Sequence, residues 1–138
     1  MRALEWGSGR STVWFAKRLG TLTSVEHNPE WHQNVQKWLE ERKIKNVDYR
    51  LVPLDHDAKA PTPAHYDVTP KYVGVVENFS ENSLDFVLID GHYRQNCVVA
   101  ALSKLKPGGY LAIDNSNWMT LSEWGVPSEW PVLHRSYG

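Results

Sequence analysis

Short apolar runs alternate along the chain with longer stretches of helical periodicity. The apolar runs predict five β-strands, at residues 3–6, 22–26, 47–52, 84–89 and 110–113, of which the fourth has the composition of a strand buried on both faces. The stretches between them predict helices at residues 11–19, from Asn28-Pro29 onward, from Tyr72 onward and at 97–105. This alternation predicts an α/β domain with a doubly wound, mostly parallel sheet and helices on both faces.

Ligands of such a sheet bind beyond the carboxyl ends of its strands. The first candidates for a functional site are therefore the residues that directly follow the predicted strands, namely Gly7-Ser8-Gly9, Glu26-His27, Val52-Pro53, Asp90-Gly91-His92 and Asp114-Asn115. The pattern thus predicts a glycine turn, several carboxylates and two histidines at one edge of the sheet.

Residues 1–138 are expected to form one domain, with two segments outside the strand–helix pattern. Residues 53–70 are rich in proline and predict a long surface loop, either simply solvated or acting as a lid. Residues 116–138 are rich in tryptophan, with Trp118, Trp124 and Trp130 six residues apart. This segment is expected to be irregular and to cap the core, line a pocket or meet a partner chain. No helix precedes the first strand, which begins almost at Met1, and few residues follow Ile113, so one or two terminal strands of a full doubly wound sheet are expected to be missing.

Composition narrows the possible partners. The formal net charge of −1 disfavours a strong non-specific nucleic-acid binder. No apolar stretch approaches the roughly 18–20 residues that span a bilayer, so no membrane association is expected. The single cysteine, Cys97, excludes an internal disulfide framework and suits a reducing cytoplasm, where it is interpreted as a small buried residue.

The strongest local feature is the predicted strand–turn–helix corner, which reads Glu5-Trp6-Gly7-Ser8-Gly9-Arg10-Ser11-Thr12. Glycines permit a tight turn against a ligand, and a helix N-terminus offers free N–H groups to an anion. Glu26 ends the next strand, 26 − 9 = 17 residues after Gly9, and a carboxylate there can accept both hydroxyls of a ribose. The combination predicts an adenosine ligand; a surface acid is the alternative for Glu26.

A dinucleotide site usually carries a third glycine where this chain has Thr12. Instead, residues 4–31 (LEWGSGRSTVWFAKRLGTLTSVEHNPEW) resemble motif I and the following acidic strand of class I S-adenosylmethionine-dependent methyltransferases. Residues 83–116 (SLDFVLIDGHYRQNCVVAALSKLKPGGYLAIDNS) resemble the fourth strand, helix, Pro-Gly-Gly turn and fifth strand of that family. The resemblance spans about residues 2–116 and implies a Rossmann-like sheet of strand order 3-2-1-4-5.

The resemblance also implies roles for the corner residues. Residues 7–9 would lie under the methionine part of the cofactor, and Glu5 would help to hold its amino group, directly or through water. Glu26 would bind the ribose hydroxyls, His27 would flank the adenosine, and Asp90 would face cofactor and substrate. The chain departs from the family after the third strand, where an acid or small polar residue is usual and residues 52–55 read VPLD.

A narrower resemblance, to metal-dependent catechol-type O-methyltransferases, implies a cation site. That group places an aspartate after the fourth strand and an Asp-Asn pair after the fifth, which correspond here to Asp90, Asp114 and Asn115. These oxygen donors suit Mg²⁺ or another divalent cation, which would lower the pKa of a substrate hydroxyl. The alternative is that Asp114-Asn115 only makes a turn.

His92, close behind Asp90, is a candidate general base because histidine titrates near neutral pH. The alternative is that His92 or Arg94 caps the following helix. Together, these residues and the resemblance imply an S-adenosylmethionine-dependent methyltransferase that acts on O or N of a small hydroxylated molecule. Two other readings stay open: a non-catalytic or partner-dependent methyltransferase-like subunit, associating with itself or a partner through its tryptophan-rich end, and a Rossmann oxidoreductase that uses NAD.

Overall fold

A computed structural model describes residues 1–54, 68–114 and 121–133. Its strands are β1 (Arg2–Trp6), β2 (Thr21–Glu26), β3 (Val47–Leu51), β4 (Leu84–Ile89) and β5 (Leu105–Ile113). They form one sheet in the order β3-β2-β1-β4-β5, and every neighbouring pair is parallel. The predicted fold class and strand order are confirmed.

Helices connect the strands on both faces of the sheet. They are α1 (Arg10–Ala16), α2 (Pro29–Glu41), α3 (Lys71–Gly74), α4 (Arg94–Ala101) and α5 (Leu121–Trp124), with 3₁₀ turns at Val75–Asn78 and Leu102–Lys104. The predicted start of α2 is confirmed, because the Asn28 side chain accepts a hydrogen bond from the Trp31 N–H at 3.0 Å. Within the described parts of the chain, no helix is long and apolar enough to cross a membrane.

Alternate residues of β1 divide the interior into two layers. Leu4 and Trp6 are fully buried in the main apolar core, which also takes in Tyr72 of α3, Cys97 of α4 and Trp124 of α5. The Trp6 indole N–H donates to the Tyr72 carbonyl oxygen at 2.8 Å, which ties β1 to α3. The interpretation of Cys97 as a buried small residue is confirmed.

The opposite layer is thinner and contains more polar groups. Leu22 of β2 is buried with Val35 and Leu39 of α2, and the ring of Phe15 in α1 lies 5.0 Å from that of Phe86 in β4. Phe86 is only partly buried. The prediction that β4 is buried on both faces is therefore wrong on this side, because α1 covers the sheet incompletely.

The region between α4 and β5 differs from its prediction. The helix predicted at 97–105 begins earlier, at Arg94, and ends at Ala101, while Leu105 already belongs to β5. The Pro-Gly-Gly sequence lies inside the strand, where the pairing shifts between Leu84↔Leu105 and Phe86↔Tyr110. Gly108 has φ 83° there, a conformation that favours glycine. An irregular strand therefore replaces the predicted turn.

The tryptophan-rich end contains more regular structure than expected, since α5 forms within it. Trp124 is 2% exposed, and Trp130 packs against the same core, which confirms the core-cap interpretation for Trp124. Trp118 lies outside the described residues, as does most of the proline-rich segment 53–70. At the end of that segment, Pro70 is buried and directly precedes α3.

Candidate functional site

A row of polar side chains crosses three strands just before their carboxyl ends. Glu5 of β1 is in register with Ser24 of β2, which is in register with Tyr49 of β3. Residues in register on parallel strands project to the same face, so the three side chains share the face that α1 and α2 cover. The Ser24 hydroxyl donates to Glu5 Oε1 at 2.8 Å.

Glu5 fastens this row to the first turn of α1. Its carboxyl group is 0% exposed and also accepts hydrogen bonds from the hydroxyls of Ser11 at 2.6 Å and Thr12 at 2.5 Å. The Thr12 hydroxyl oxygen accepts from the Gly9 N–H at 3.0 Å. Burial raises the pKa of Glu5 and outweighs the three hydroxyl donors, which act in the opposite direction. The contacts that the structure shows for Glu5 are all internal.

Gly7 lets the turn pass very close to β4. It has φ 92°, and a Cβ atom placed on it would lie 1.3 Å from the Asp90 carbonyl oxygen. Backbone hydrogen bonds hold the turn on both sides: Gly7 N–H donates to Val25 O at 2.9 Å, and Asp90 N–H donates to Trp6 O at 2.8 Å. The Trp6 indole itself lies in the main core, so only its backbone belongs to the candidate site.

Glu26, the last residue of β2, receives four hydrogen bonds. Its Oε1 accepts from the Ser8 N–H at 3.2 Å and the Ser8 hydroxyl at 2.6 Å. Its Oε2 accepts from the N–H groups of His27 at 3.1 Å and Asn28 at 2.9 Å. The residue is 3% exposed. The predicted proximity of the acidic strand end and the glycine turn is thus present in the structure.

Ser8 is held from two further directions. The hydroxyls of Ser8 and Tyr49 lie 2.6 Å apart, and the Trp31 indole N–H donates to the Ser8 carbonyl oxygen at 2.9 Å. The His32 ring stacks on Tyr49 at 4.2 Å, which fixes the phenol from its other side. Burial raises the pKa of Tyr49, so its hydroxyl remains protonated near neutral pH.

The two predicted histidines come together at the same edge. The rings of His27 and His92 lie 4.5 Å apart in an edge-to-face arrangement, and His27 Nδ1 is 3.3 Å from Glu26 Oε2. Tyr72 supports them from the core side, with its ring 6.3 Å from that of His27. A Cβ atom on Gly91 would lie 2.2 Å from the Tyr72 hydroxyl oxygen, so glycine is required for this approach.

Asp90 and Asp114 meet at the ends of β4 and β5. Burial raises the pKa of Asp90, and the charge of Asp114 acts in the same direction, while the Arg94 guanidinium opposes both. That guanidinium donates to Asp90 Oδ1 at 3.0 Å and to the carbonyl oxygens of Gly91 at 2.9 Å and Asp114 at 2.7 Å.

Two of the three predicted metal ligands are therefore close together, and the third, Asn115, lies outside the described residues. In the described ranges, no group of three or more His, Cys, Asp or Glu side chains could hold a metal ion. The structure instead places a guanidinium against the carboxylate of Asp90.

Sequence reasoning missed several residues of this edge. Ser24 lies two residues before Glu26 and therefore shares its face of β2, a signal that could have placed it on the polar face of the sheet. Arg94 appeared only as a possible helix cap, whereas in the structure this first residue of α4 forms an ion pair with Asp90 at the end of β4. Tyr49 and Trp31 carried no local signal, because their contacts with Ser8 join residues 41 and 23 positions apart in the sequence.

A separate cavity of about 740 Å³ lies on the opposite face of the sheet, between α3 and α4. Val73, Val99 and Lys104 are among its lining residues, and none of the predicted site residues contributes to it. The convergent polar groups described above lie at the strand ends and not in this cavity.

The sequence matches the family profile described as methyltransferase domain over residues 4–116. A comparison with curated protein sequences found no match. Among solved structures, a methyltransferase-like protein from Silicibacter pomeroyi is similar at 29% identity and TM-score 0.61, over 83% of this chain and 63% of that one.

Two further solved structures are similar at lower identity, which shows the fold alone. Precorrin 8w decarboxylase from Methanobacterium thermoautotrophicum is 20% identical with TM-score 0.60, over 81% of this chain and 52% of that one. The YcgJ protein from Bacillus subtilis is 15% identical with TM-score 0.54, over 81% and 42%. The chain thus spans about half the length of these three solved structures.

Proposed function

The chain belongs to the methyltransferase-domain family, and from that premise we propose that it transfers a methyl group from S-adenosylmethionine to an oxygen or nitrogen atom of a small molecule. S-adenosylmethionine is the expected cofactor of this family. The observation that carries the proposal is the contact between Glu26 and the glycine turn, because it joins a carboxylate at a strand end to a backbone that a ligand can approach.

The residues at this edge fit the cofactor by their chemistry. A carboxylate accepts hydrogen bonds from the hydroxyls of a ribose, and Glu26 lies at a strand end in contact with Ser8 of the glycine turn. His27 and His92 present ring faces and edges next to it, where an adenosine would lie. Asp90 lies across the turn from Glu26, in contact with the backbone of Gly7.

When bound, S-adenosylmethionine supplies a methyl group already activated by its sulfonium charge. The protein then has to align the acceptor atom with the methyl–sulfur bond and exclude water. We assign the orientation of the acceptor to Asp90 and Arg94, whose ion pair borders the edge at the end of β4. We assign to His92 the role of taking a proton from the acceptor, because its ring lies next to that of His27 at the same edge of the sheet.

Calorimetric titration with S-adenosylmethionine, S-adenosylhomocysteine and NAD tests the cofactor. We expect micromolar affinity for the first two ligands, no affinity for NAD, and loss of binding in Glu26→Ala. Glu41→Ala is the matched control, because that side chain is 70% exposed near the far end of α2. Preferential binding of NAD would support the oxidoreductase alternative. A folded protein without affinity for any of the three would contradict the proposal.

The chemical class of the methyl acceptor is tested by a methyl-transfer assay on a panel of small phenols, alcohols and amines, with and without Mg²⁺. We expect turnover of at least one acceptor and a loss of about tenfold or more in His92→Gln, in the range by which a general base contributes. Turnover that requires Mg²⁺ and disappears in Asp114→Ala would support the cation site. Turnover unchanged by His92→Gln would remove the proton-accepting role.

A further inference from the structure

The carboxylate of Glu26 has no acceptor position left. A carboxylate offers about four lone-pair positions. The four hydrogen-bond donors found on Glu26 are the N–H groups of Ser8, His27 and Asn28 and the hydroxyl of Ser8, and His27 Nδ1 also lies 3.3 Å from Oε2. A ribose hydroxyl can therefore reach this carboxylate only if one of the four donors leaves.

Only one of these donors can leave by a side-chain rotation. The N–H groups of His27 and Asn28 belong to the turn that begins α2, and Asn28 is its N-cap. The Ser8 N–H belongs to the glycine turn, whose backbone is pinned to both β2 and β4. The Ser8 hydroxyl, in contrast, moves away by a change of χ1 alone.

The direction of the hydrogen bonds assigns a role to Tyr49. A serine hydroxyl has one proton, and the Ser8 hydroxyl donates it to Glu26 Oε1 at 2.6 Å, because a carboxylate only accepts. The 2.6 Å contact between the two hydroxyls must then be a bond donated by Tyr49 to Ser8. Tyr49 is held in place by stacking on His32.

We propose that Ser8 and Tyr49 set the affinity of the ribose site: the Ser8 hydroxyl holds the acceptor position on Glu26 that a ribose hydroxyl takes, and Tyr49 holds Ser8 there. This inference rests on the proposed function, since it requires an adenosine ligand at Glu26. Ser8 is a competitor for that position, and Tyr49 acts only through Ser8. Consecutive hydrogen bonds that end on a carboxylate strengthen one another, so removal of Tyr49 weakens the competitor.

The test is the dissociation constant of S-adenosylhomocysteine for the full chain and for Ser8→Ala, Tyr49→Phe and the double variant. We expect Ser8→Ala to bind about three- to tenfold more tightly, the scale of one hydrogen bond. Tyr49→Phe should bind about two- to threefold more tightly, on the scale of a weakened hydrogen bond. The double variant should equal Ser8→Ala, because Tyr49 has no effect once the hydroxyl is gone. Ser8 does not adopt a positive φ, so alanine fits its backbone.

The dissociation constants of 2′-deoxy and 3′-deoxy S-adenosylhomocysteine distinguish this role of Ser8 from a general loosening of the glycine turn, which would affect both analogues alike. We expect that Ser8→Ala does not increase affinity for the analogue that lacks the ribose hydroxyl which replaces the Ser8 hydroxyl on Glu26. A gain retained for both forms, an unchanged or weaker affinity in Ser8→Ala, or additive effects in the double variant would overturn the inference while leaving the proposed function intact. If no variant binds S-adenosylhomocysteine although all melt cooperatively, both proposals fail.

Discussion

Glu5 and Glu26 are two buried carboxylates next to the same glycine turn, and they accept hydrogen bonds from different kinds of donor. Glu5, inside β1, accepts from three side-chain hydroxyls on β2 and α1. Glu26, at the end of β2, accepts from three backbone N–H groups and one hydroxyl. The hydroxyls that bind Glu5 come from β2 and α1, so Glu5 joins these elements to β1. The N–H groups that bind Glu26 come from the turns that follow β1 and β2, so they orient its carboxylate at the edge of the sheet. Burial therefore does not distinguish the two acids, because both are buried. They differ in their position along the strand, and the proposed function assigns the ligand contact to Glu26 at the strand end.

The largest expected effect comes from Gly7, the first residue of the glycine turn, which is hydrogen-bonded to Val25 of β2 and packed against Asp90. Gly7→Ala places a Cβ atom 1.3 Å from the Asp90 carbonyl oxygen, so the turn must separate from β4. We expect the free energy of unfolding to fall by about 4 kcal/mol or more, the scale of a severe backbone clash. Urea denaturation followed by circular dichroism measures the change.

Gly108→Ala is the matched control for Gly7→Ala. Gly108 also has a positive φ, at 83°, but nothing lies within 4 Å of the added Cβ atom. We expect a loss of only about 1 kcal/mol, the cost of the backbone conformation alone. Equal losses in the two variants would show that the approach to Asp90 is not what fixes the turn.

Glu5→Ala and Glu26→Ala should lower the free energy of unfolding by different amounts. The substitution leaves the hydroxyls of Ser11, Thr12 and Ser24 without their shared acceptor, two of them in buried residues. We expect a loss of about 3 kcal/mol in the free energy of unfolding, and a smaller loss in Glu26→Ala, whose donors lie where water can reach them on removal of the side chain. A larger loss in Glu26→Ala would reverse the assignment of the two roles.

The pH dependence of stability tests the environment of Glu5. Because burial raises its pKa in the folded state, the folded protein binds the proton more tightly than the unfolded chain. The contribution of protonated Glu5 to the free energy of unfolding is complete below the pKa of about 4.5 that this residue has in the unfolded chain. It is lost as the pH rises through the higher pKa of Glu5 in the folded protein. The slope is at most about 1.4 kcal/mol per pH unit.

Glu5→Gln removes this dependence while it keeps the side-chain volume. We expect the difference in unfolding free energy between the original chain and Glu5→Gln to shift in favour of the variant as the pH rises from 4 to 7. Parallel pH profiles, measured by urea denaturation at each pH, would mean that the carboxyl group is not desolvated.

The fold was predictable because its signals are local and repeated. Apolar runs followed by helical stretches indicated the parallel sheet, and Asn28-Pro29 located the start of α2 within one residue. The proximity of Glu26 to the glycine turn followed from topology, since strand ends of a parallel sheet share an edge. The boundary at Leu105 was missed because an apolar residue before Pro-Gly-Gly fits a helix end as well as an irregular strand.

The donors on the two carboxylates were harder to predict, because they depend on register. Tyr49 reaches Ser8 only because β3 pairs with β2 so that Tyr49 lies opposite Ser24. A shift of one residue would turn its phenol to the other face. Sequence patterns identify strands more readily than their register. The acids and glycines could therefore be matched to family motifs, whereas Tyr49 could not be placed beside Ser8.

The smallest effect is expected from Ser24, which makes only one of the three hydroxyl bonds to Glu5. In Ser24→Ala the carboxyl group keeps the donors of Ser11 and Thr12, so the expected loss is about 1 kcal/mol, that of a single hydrogen bond. Ser103→Ala, at an exposed position, is the control and should change stability by less than about 0.5 kcal/mol. If the hydroxyls act as one network around Glu5, Ser24→Ala should have little effect in a Glu5→Ala background. A double-mutant cycle on the free energy of unfolding measures that coupling, and independent effects would mean that Ser24 stabilises β2 by other contacts.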